Sequence, residues 1–380
     1  MSKLIIKNIQ DAETFKSIQK NWDQLLADSP TKSVFLTWEW LYSWWKVNGN
    51  NKELWLITAW RDDEIVGIAP LMRETRKKFG LSLHAIVNLG TPQNDVGGFL
   101  FNPKDVDVPH SLFNYLDQNK DKWDIVELNE FASNGPEHNL LENLSLNNRL
   151  LWREEKNSHY FITLENNWEK FSERLARKFR YNLRRALRLA EEIGKVEIEH
   201  FSGNTATWEA FQTVIEINRH ANYPRLYNSP SEQMLIKELI EQTTSGQSWL
   251  DIYILSVNNK PVAYEYGFVY EKRFEDWRSG FDTRFPANVS IGKVLAMQVV
   301  QKCIQENYNE IDFLRGDESY KQEWMPSERS FSNIRLFNNG RIFAVFAYWW
   351  LQKIKPALKK GRLNINEKKD KIRDENNANP

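Results

Sequence analysis

The stretch Leu250-Asp-Ile-Tyr-Ile-Leu-Ser-Val-Asn-Asn-Lys-Pro-Val-Ala-Tyr-Glu-Tyr-Gly267 reads as two apolar, aromatic and β-branched runs joined by a polar turn at Asn258-Asn259-Lys260, which is the pattern of a β-hairpin. The same pattern occurs earlier in the chain. Residues 54–60 and 65–71 flank Arg61-Asp62-Asp63-Glu64, and a shift of 196 residues lays Asp62-Asp63-Glu64 on Asn258-Asn259-Lys260 and Val66-Gly67 on Val262-Ala263. A second correspondence follows in the same order. Predicted helices over 111–119 and 291–306 each precede a predicted strand, 124–128 and 311–314, with Asp124 falling on Asp312 at a shift of 188. Two similar shifts predict a tandem duplication of one α+β unit.

Length and composition fit that expectation. The chain has 380 residues, and at roughly 100–200 residues per domain this accommodates two units. We expect residues 1–160 to form the first and 161–340 the second, with a basic linker helix over 171–193. Residues 341–380 are expected to hold an amphipathic aromatic helix and a disordered charged tail. Hydrophobic residues make up 41%, enough for a packed core. Cys303 is the single cysteine, which excludes an internal disulfide framework. The first residues lack the apolar core of a signal peptide, and the longest apolar run, 342–351, falls short of the roughly 20 residues that span a bilayer. A cytoplasmic protein is therefore expected, with peripheral contact to the inner membrane face left open.

Charge is balanced overall, 51 Lys+Arg against 51 Asp+Glu, but it is segregated. Between Phe171 and Lys195, eight basic residues stand against Glu173, Glu191 and Glu192, while Leu175, Phe179, Leu183 and Leu187 recur every four residues. This predicts an amphipathic helix, stopped at Gly194, whose polar face is either simply solvated or a surface for phosphates. Trp38, Leu41, Trp44 and Trp45 recur at helical spacing behind Thr37 as N-cap, and the expected role of this aromatic stripe is packing.

Several chemistries are absent from the sequence. The six histidines show no ligand spacing, and there is no His-Glu-x-x-His, EF-hand, Gly-x-Ser-x-Gly, Walker or Gly-x-Gly-x-x-Gly pattern, so no metal is expected. Candidate chemistry concentrates between 261 and 325. Ala263, Glu265 and Gly267 share one strand face, leaving room beside a carboxylate for a ligand, though Glu265 could equally pair with a buried arginine. The next strand alternates Asp276, Arg278, Gly280 and Asp282 with Glu275, Trp277, Ser279 and Phe281, and its charged face lines a cleft or a solvated edge. Ser290, Gly292 and Lys293 open a helix, where free N–H groups suit a phosphate. Asp312, Asp317, Glu318, Tyr320 and Lys321 crowd the carboxyl end of a strand, a frequent place for chemistry.

Asp312-Phe-Leu-Arg-Gly316, Tyr320-Lys321 and Trp324 together resemble the signature of GNAT-superfamily acyltransferases associated with cellulose biosynthesis, the CelD/BcsL type. In order, Phe35, Glu39-Trp40 and Trp44-Trp45, then Gly67-Ile-Ala-Pro70-Leu71, Asp95, Arg177-Lys-Phe-Arg180-Tyr-Asn-Leu-Arg-Arg185, and Phe281-Asp282 with Ser290-Ile-Gly292 resemble the family's other motifs. The resemblance covers about residues 15–340 and implies tandem GNAT-like domains, mixed β-sheets flanked by helices. It extends to the related Fem-type aminoacyltransferases, whose Phe-Lys pair Tyr320-Lys321 is similar to.

It implies an acyltransferase that uses acetyl-CoA or another acyl-CoA and a small-molecule or glycan acceptor, an amine or hydroxyl of a sugar or polysaccharide precursor. In that expectation Lys321 offsets the oxyanion, with Tyr320 beside it. One of Asp282, Glu265 and Asp317 serves as base. Ser290, Gly292 and Lys293, with Arg180 and Arg184, hold cofactor phosphates. The segment Asn288-Val-Ser-Ile-Gly-Lys293 keeps only one glycine of the superfamily's phosphate loop. Two alternatives stand: a tRNA-dependent Fem-like transferase, and a non-enzymatic scaffold contacting a membrane or a synthase complex.

Overall fold

Two tight turns with left-handed backbone set the frame. Asp62 and Asp63 have φ of +48° and +65°, and Asn258 and Asn259 have +51° and +60°. Asp and Asn tolerate this region because their short polar side chains bond locally. Turns with two positive φ values match the right-handed twist of the strands they join. The computed structural model describes residues 3–78, 81–147, 150–243 and 249–354. The expected tail, 355–380, lies outside the described residues.

The first unit runs β1 (Ile5–Ile9), α1 (Ala12–Ser17), α2 (Gln19–Asp28), α3 (Trp38–Asn48), β2 (Lys52–Arg61), β3 (Glu64–Lys78), β4 (Leu81–Asn88), the short β5 (Leu100–Phe101), α4 (Asp107–Gln118), β6 (Ile125–Ala132), α5 (Pro136–Asn147) and β7 (Leu151–Thr163). After α6 (Trp168–Glu173) and α7 (Arg177–Ile193) the plan repeats as β8 (Val196–Phe201), α8 (Trp208–Arg219), α9 (Pro230–Thr243), β9 (Leu250–Val257), β10 (Lys260–Tyr270), β11 (Arg273–Phe281), α10 (Ile291–Gln305), β12 (Glu310–Arg315), α11 (Ser319–Gln322) and β13 (Ser327–Phe337). Helix α12 (Ile342–Trp349) follows.

One mixed sheet joins both units in the order β1-β2-β3-β4-β6-β13-β7-β12-β11-β10-β9-β8. Read from either end the order of equivalent strands is the same. In each unit one pair is parallel, β4 with β6 and β11 with β12, with α4 or α10 as the crossover. The closing strands are exchanged: β7 of the first unit lies against β12 of the second, and β13 lies against β6. Strand β7 spans residues 160 and 161, where the sequence places the boundary between units. The duplication holds with one correction. Asp124 N donates to His84 O as Asn309 N donates to Lys272 O, so Asp124 is equivalent to Asn309 and not to Asp312. The offset reflects unequal crossovers: α4 has 12 residues and α10 has 15, and the connections on either side differ in length as well.

A core on one face of the sheet runs through both units and includes Trp22, Trp40 and Trp44, all essentially inaccessible. Thr37 caps α3 by accepting from Trp40 N. The aromatic stripe of α3 is therefore packing, as expected. The opposite face carries separate cores under α4 for the first unit and under α7 and α10 for the second. The predicted helix over 171–193 is two helices. Leu175 is buried in the turn between them and Ala176 has extended backbone (ψ 137°), so α7 starts only at Arg177.

Candidate functional site

Strand β11 skips a residue where it meets β10: Tyr266 faces Arg278 and Gly267 faces Asp276, leaving Trp277 bulged. A bulge reverses the alternation of side chains beyond it. Hence Asp276 and Ser279, on opposite faces by strict alternation, both line one cavity. Gly267 makes this geometry permissible, because a Cβ there would lie 2.1 Å from the Glu275 carbonyl oxygen. The space expected for a ligand beside Gly267 is thus taken up by backbone. Trp277 turns away into the shared core, and Glu275 turns with it to accept from Ser33 Oγ (2.9 Å).

Pairing of β11 with β12 ends at Glu275↔Asp312, and two cavities open beyond that point. The first, 660 Å³, is bounded by α7 and α10 and has a largely apolar wall including Phe179, Phe285, Leu295 and Trp324. The second, 820 Å³, is polar and lies between the units: Asp95, Glu130 and Lys156 come from the first, Arg278, Arg315 and Lys321 from the second. Asp276, Ser279, Phe313 and Tyr320 line both.

Burial pushes the Asp276 carboxyl up to about 7, against the pull of the Lys321 and Arg278 cations. Glu265, on the neighbouring strand, is driven well above the ordinary carboxylate range by burial and by Asp276. Tyr320 is 43% exposed, yet burial of its inner part and the Asp276 and Glu265 carboxyls raise its phenol, which stays a neutral donor. Asp276 was not among the expected site residues. Strict alternation groups it with Arg278 and Asp282 on a face that lines a cleft or a solvated edge, and the bulge leaves no mark in the sequence.

The other expected residues separate. Lys321 is buried, and its ammonium donates to Arg315 O (2.8 Å) and Gly316 O (3.3 Å) and pairs with Glu318 (2.9 Å). It pins the 315–318 loop and lends its charge to Asp276. Asp317 is exposed at the wall of the polar cavity. Asp282 lines neither of these cavities; Arg284 clamps it through Nε (2.9 Å) and Nη2 (2.6 Å) and holds its carboxyl below the usual range. Ser290, Gly292 and Lys293 do line the apolar cavity. Arg180 and Arg184 do not, because α7 turns Phe179 and Leu183 inward and its arginines away.

A coenzyme A thioester finds a partial fit here. The apolar wall suits a pantetheine arm and the first turn of α10 suits a phosphate. Lys293, however, is bound by both Glu323 oxygens (2.6 and 2.7 Å), and the other charged side chains lining this cavity are carboxylates. The diphosphate end would gain a full positive charge only by displacing Glu323. Among the described residues no group of three His, Cys, Asp or Glu could hold a metal ion. No described helix is long and apolar enough to cross a membrane.

Residues 177–322 match the profile of the acetyltransferase (GNAT) domain. No curated protein matches the sequence. Among solved structures, FemX superposes with a TM-score of 0.57 at 9% identity over 86% of this chain and 96% of its own. The C-terminal domain of a putative lysylphosphatidylglycerol synthetase from Agrobacterium fabrum gives 0.53 at 9% identity over 88% and 95%. L-PGS from Bacillus licheniformis gives 0.53 at 11% identity over 89% and 96%. With the profile match and the repeated order of strands and crossover helices, these likenesses establish that the chain has the GNAT fold.

Proposed function

We propose that this protein is an acyltransferase in which Asp276 is the general base, at the junction of a donor cavity and an acceptor cavity. The observation that carries the reading is the place of Asp276 in the lining of both cavities with a pKa near 7, where a base is most effective. The donor is an acyl-CoA, its apolar arm along Phe179 and Leu295 and its acyl carbon in the gap between β11 and β12. The acceptor is an amine or hydroxyl of a sugar or polysaccharide precursor, suited to a cavity that carries five carboxylates and five cations. Asp276 takes the acceptor's proton as the new bond to the acyl carbon forms. As the carbon–sulfur bond breaks, the neutral Tyr320 phenol donates to the leaving sulfur. Lys321 positions the loop and tunes Asp276 rather than touching the acyl group.

Thermal shifts with acetyl-CoA, longer acyl-CoAs and free CoA test the donor. A ligand at one hundred times its dissociation constant adds about 2.7 kcal/mol, an easily read shift. Absence of any shift removes acyl-CoA. A second reading, a Fem-like transferase fed by aminoacyl-tRNA, is favoured by one observation: Arg177, Lys178, Arg184 and Arg185 are exposed on α7, whose Phe179 lines the donor cavity. Binding of tRNA that weakens steeply with salt would support that version.

A further inference from the structure

Helix α12 has two apolar faces. Ala344 and Tyr348, with Leu351 just past the helix end, turn toward Ile125, Leu151 and Phe337 at the end of the central strands. The other face presents Ile342 (78% exposed), Phe343 (41%), Phe346 (53%) and Trp349 (50%) to solvent. A helix that is apolar all round needs burial on both sides, and four large neighbouring side chains exceed the singly scattered apolar residues normal on a surface. In sequence, the charge that accompanies this helix is one-sided. From Arg341 to Asn366 the chain carries Arg341, Lys353, Lys355, Lys359, Lys360 and Arg362 and no acidic residue.

We propose that α12 is a docking element for an anionic lipid surface, into which Phe343, Phe346 and Trp349 insert at the headgroup boundary while the neighbouring cations meet lipid phosphates. Apolar insertion combined with a basic flank is the chemistry of interfacial helices. A second copy of this chain fits less well. A self-complementary interface on this face would bring two clusters of like charge together, whereas an anionic bilayer neutralises them. The anchor adjoins the acceptor cavity: β7 gives Leu151 and Arg153 to the α12 contact and Lys156 to Ser158 to the cavity wall.

The test is co-sedimentation of the full chain with vesicles of phosphatidylcholine alone and of phosphatidylcholine with 30% phosphatidylglycerol, a composition of about one anionic lipid in three. The expected result is binding to the anionic vesicles, at least about tenfold weaker to the neutral ones. F343S/F346S/W349S should weaken the anionic binding at least about tenfold with unchanged circular dichroism. K359E/K360E, which lies beyond α12 in sequence, should weaken it without shifting the melting temperature. The proposal is overturned if the wild type ignores both vesicles, including the case in which it proves to be a dimer through α12. It is equally overturned if R177E/R184E/R185E abolishes binding while both α12-region variants bind like wild type.

Discussion

Asp276 stands directly opposite Gly267 in the β10–β11 ladder, at the one point where that ladder skips a residue. The pairing places the only raised carboxyl that, among the described residues, both cavities share next to a position that admits no side chain. Gly267→Ala forces a Cβ to within 2.1 Å of a backbone oxygen, which the strand relieves by losing the bulge. The expected cost is about 1–3 kcal/mol of stability, together with loss of the alignment of Asp276 and Ser279. Thermal unfolding and turnover measured on the same preparation check this. A variant of undiminished activity would mean the bulge is not needed for the site.

The raised pKa of Asp276 also sets the sign of a stability effect. Folded Asp276 holds its proton up to about 7, while the unfolded chain releases it near the ordinary aspartate value of 3.8. Between those values the folded state binds more protons, so this group's contribution falls as pH rises and is lost above about 7. Asp276→Asn cannot ionise and escapes that loss. Its melting temperature relative to wild type should therefore climb from pH 4 to pH 8, and a constant difference would refute the assignment.

Lys321 lowers the pKa of Asp276 and fixes the loop carbonyls of Arg315 and Gly316. Lys321→Met removes both effects. Turnover should fall, and its dependence on pH should move to a higher midpoint because ionised Asp276 loses the pull of the Lys321 cation and keeps only that of Arg278. Lys321→Arg should restore the midpoint more than the rate. An unchanged midpoint in Lys321→Met would show that the lysine does not act through Asp276.

The Lys293–Glu323 pair predicts an unusual gain of function. Glu323→Gln releases the lysine for the donor's phosphates and should tighten acyl-CoA binding, by about tenfold for a charge-assisted hydrogen bond of roughly 1.5 kcal/mol. Lys293→Ala should weaken binding. Calorimetric titration with acetyl-CoA reads both, and weaker binding to Glu323→Gln contradicts a phosphate at the start of α10.

Much of the fold was legible because hairpins and crossover helices are written in local patterns. The Asp62-Asp63 and Asn258-Asn259 turns occupy equivalent left-handed positions, and Thr37 caps the aromatic helix it precedes. The exchange of β7 and β13 was not legible, since both partners of each strand are distant in sequence and its residues alternate equally well against either. At the site, residue type and neighbourhood single out Lys321, Tyr320 and Glu265, and the start of a helix singles out Ser290 to Lys293, all of which line one or other cavity. Asp276 is not legible in the sequence, because a one-residue bulge changes which face a side chain takes and because its raised pKa arises from burial that only the folded sheet creates. Asp282 lies outside both cavities, paired with Arg284 two residues along the chain.

The most direct test follows release of free thiol from acetyl-CoA in the presence of amino-sugar acceptors, for wild type and Asp276→Asn, from pH 5 to 9. The wild-type rate should rise through a midpoint near 7 to a plateau. The Asp276→Asn rate should be lower by about 10²–10⁴-fold and lack that rise. An Asp276→Asn protein that turns over at the wild-type rate with the wild-type pH profile contradicts the central role of Asp276.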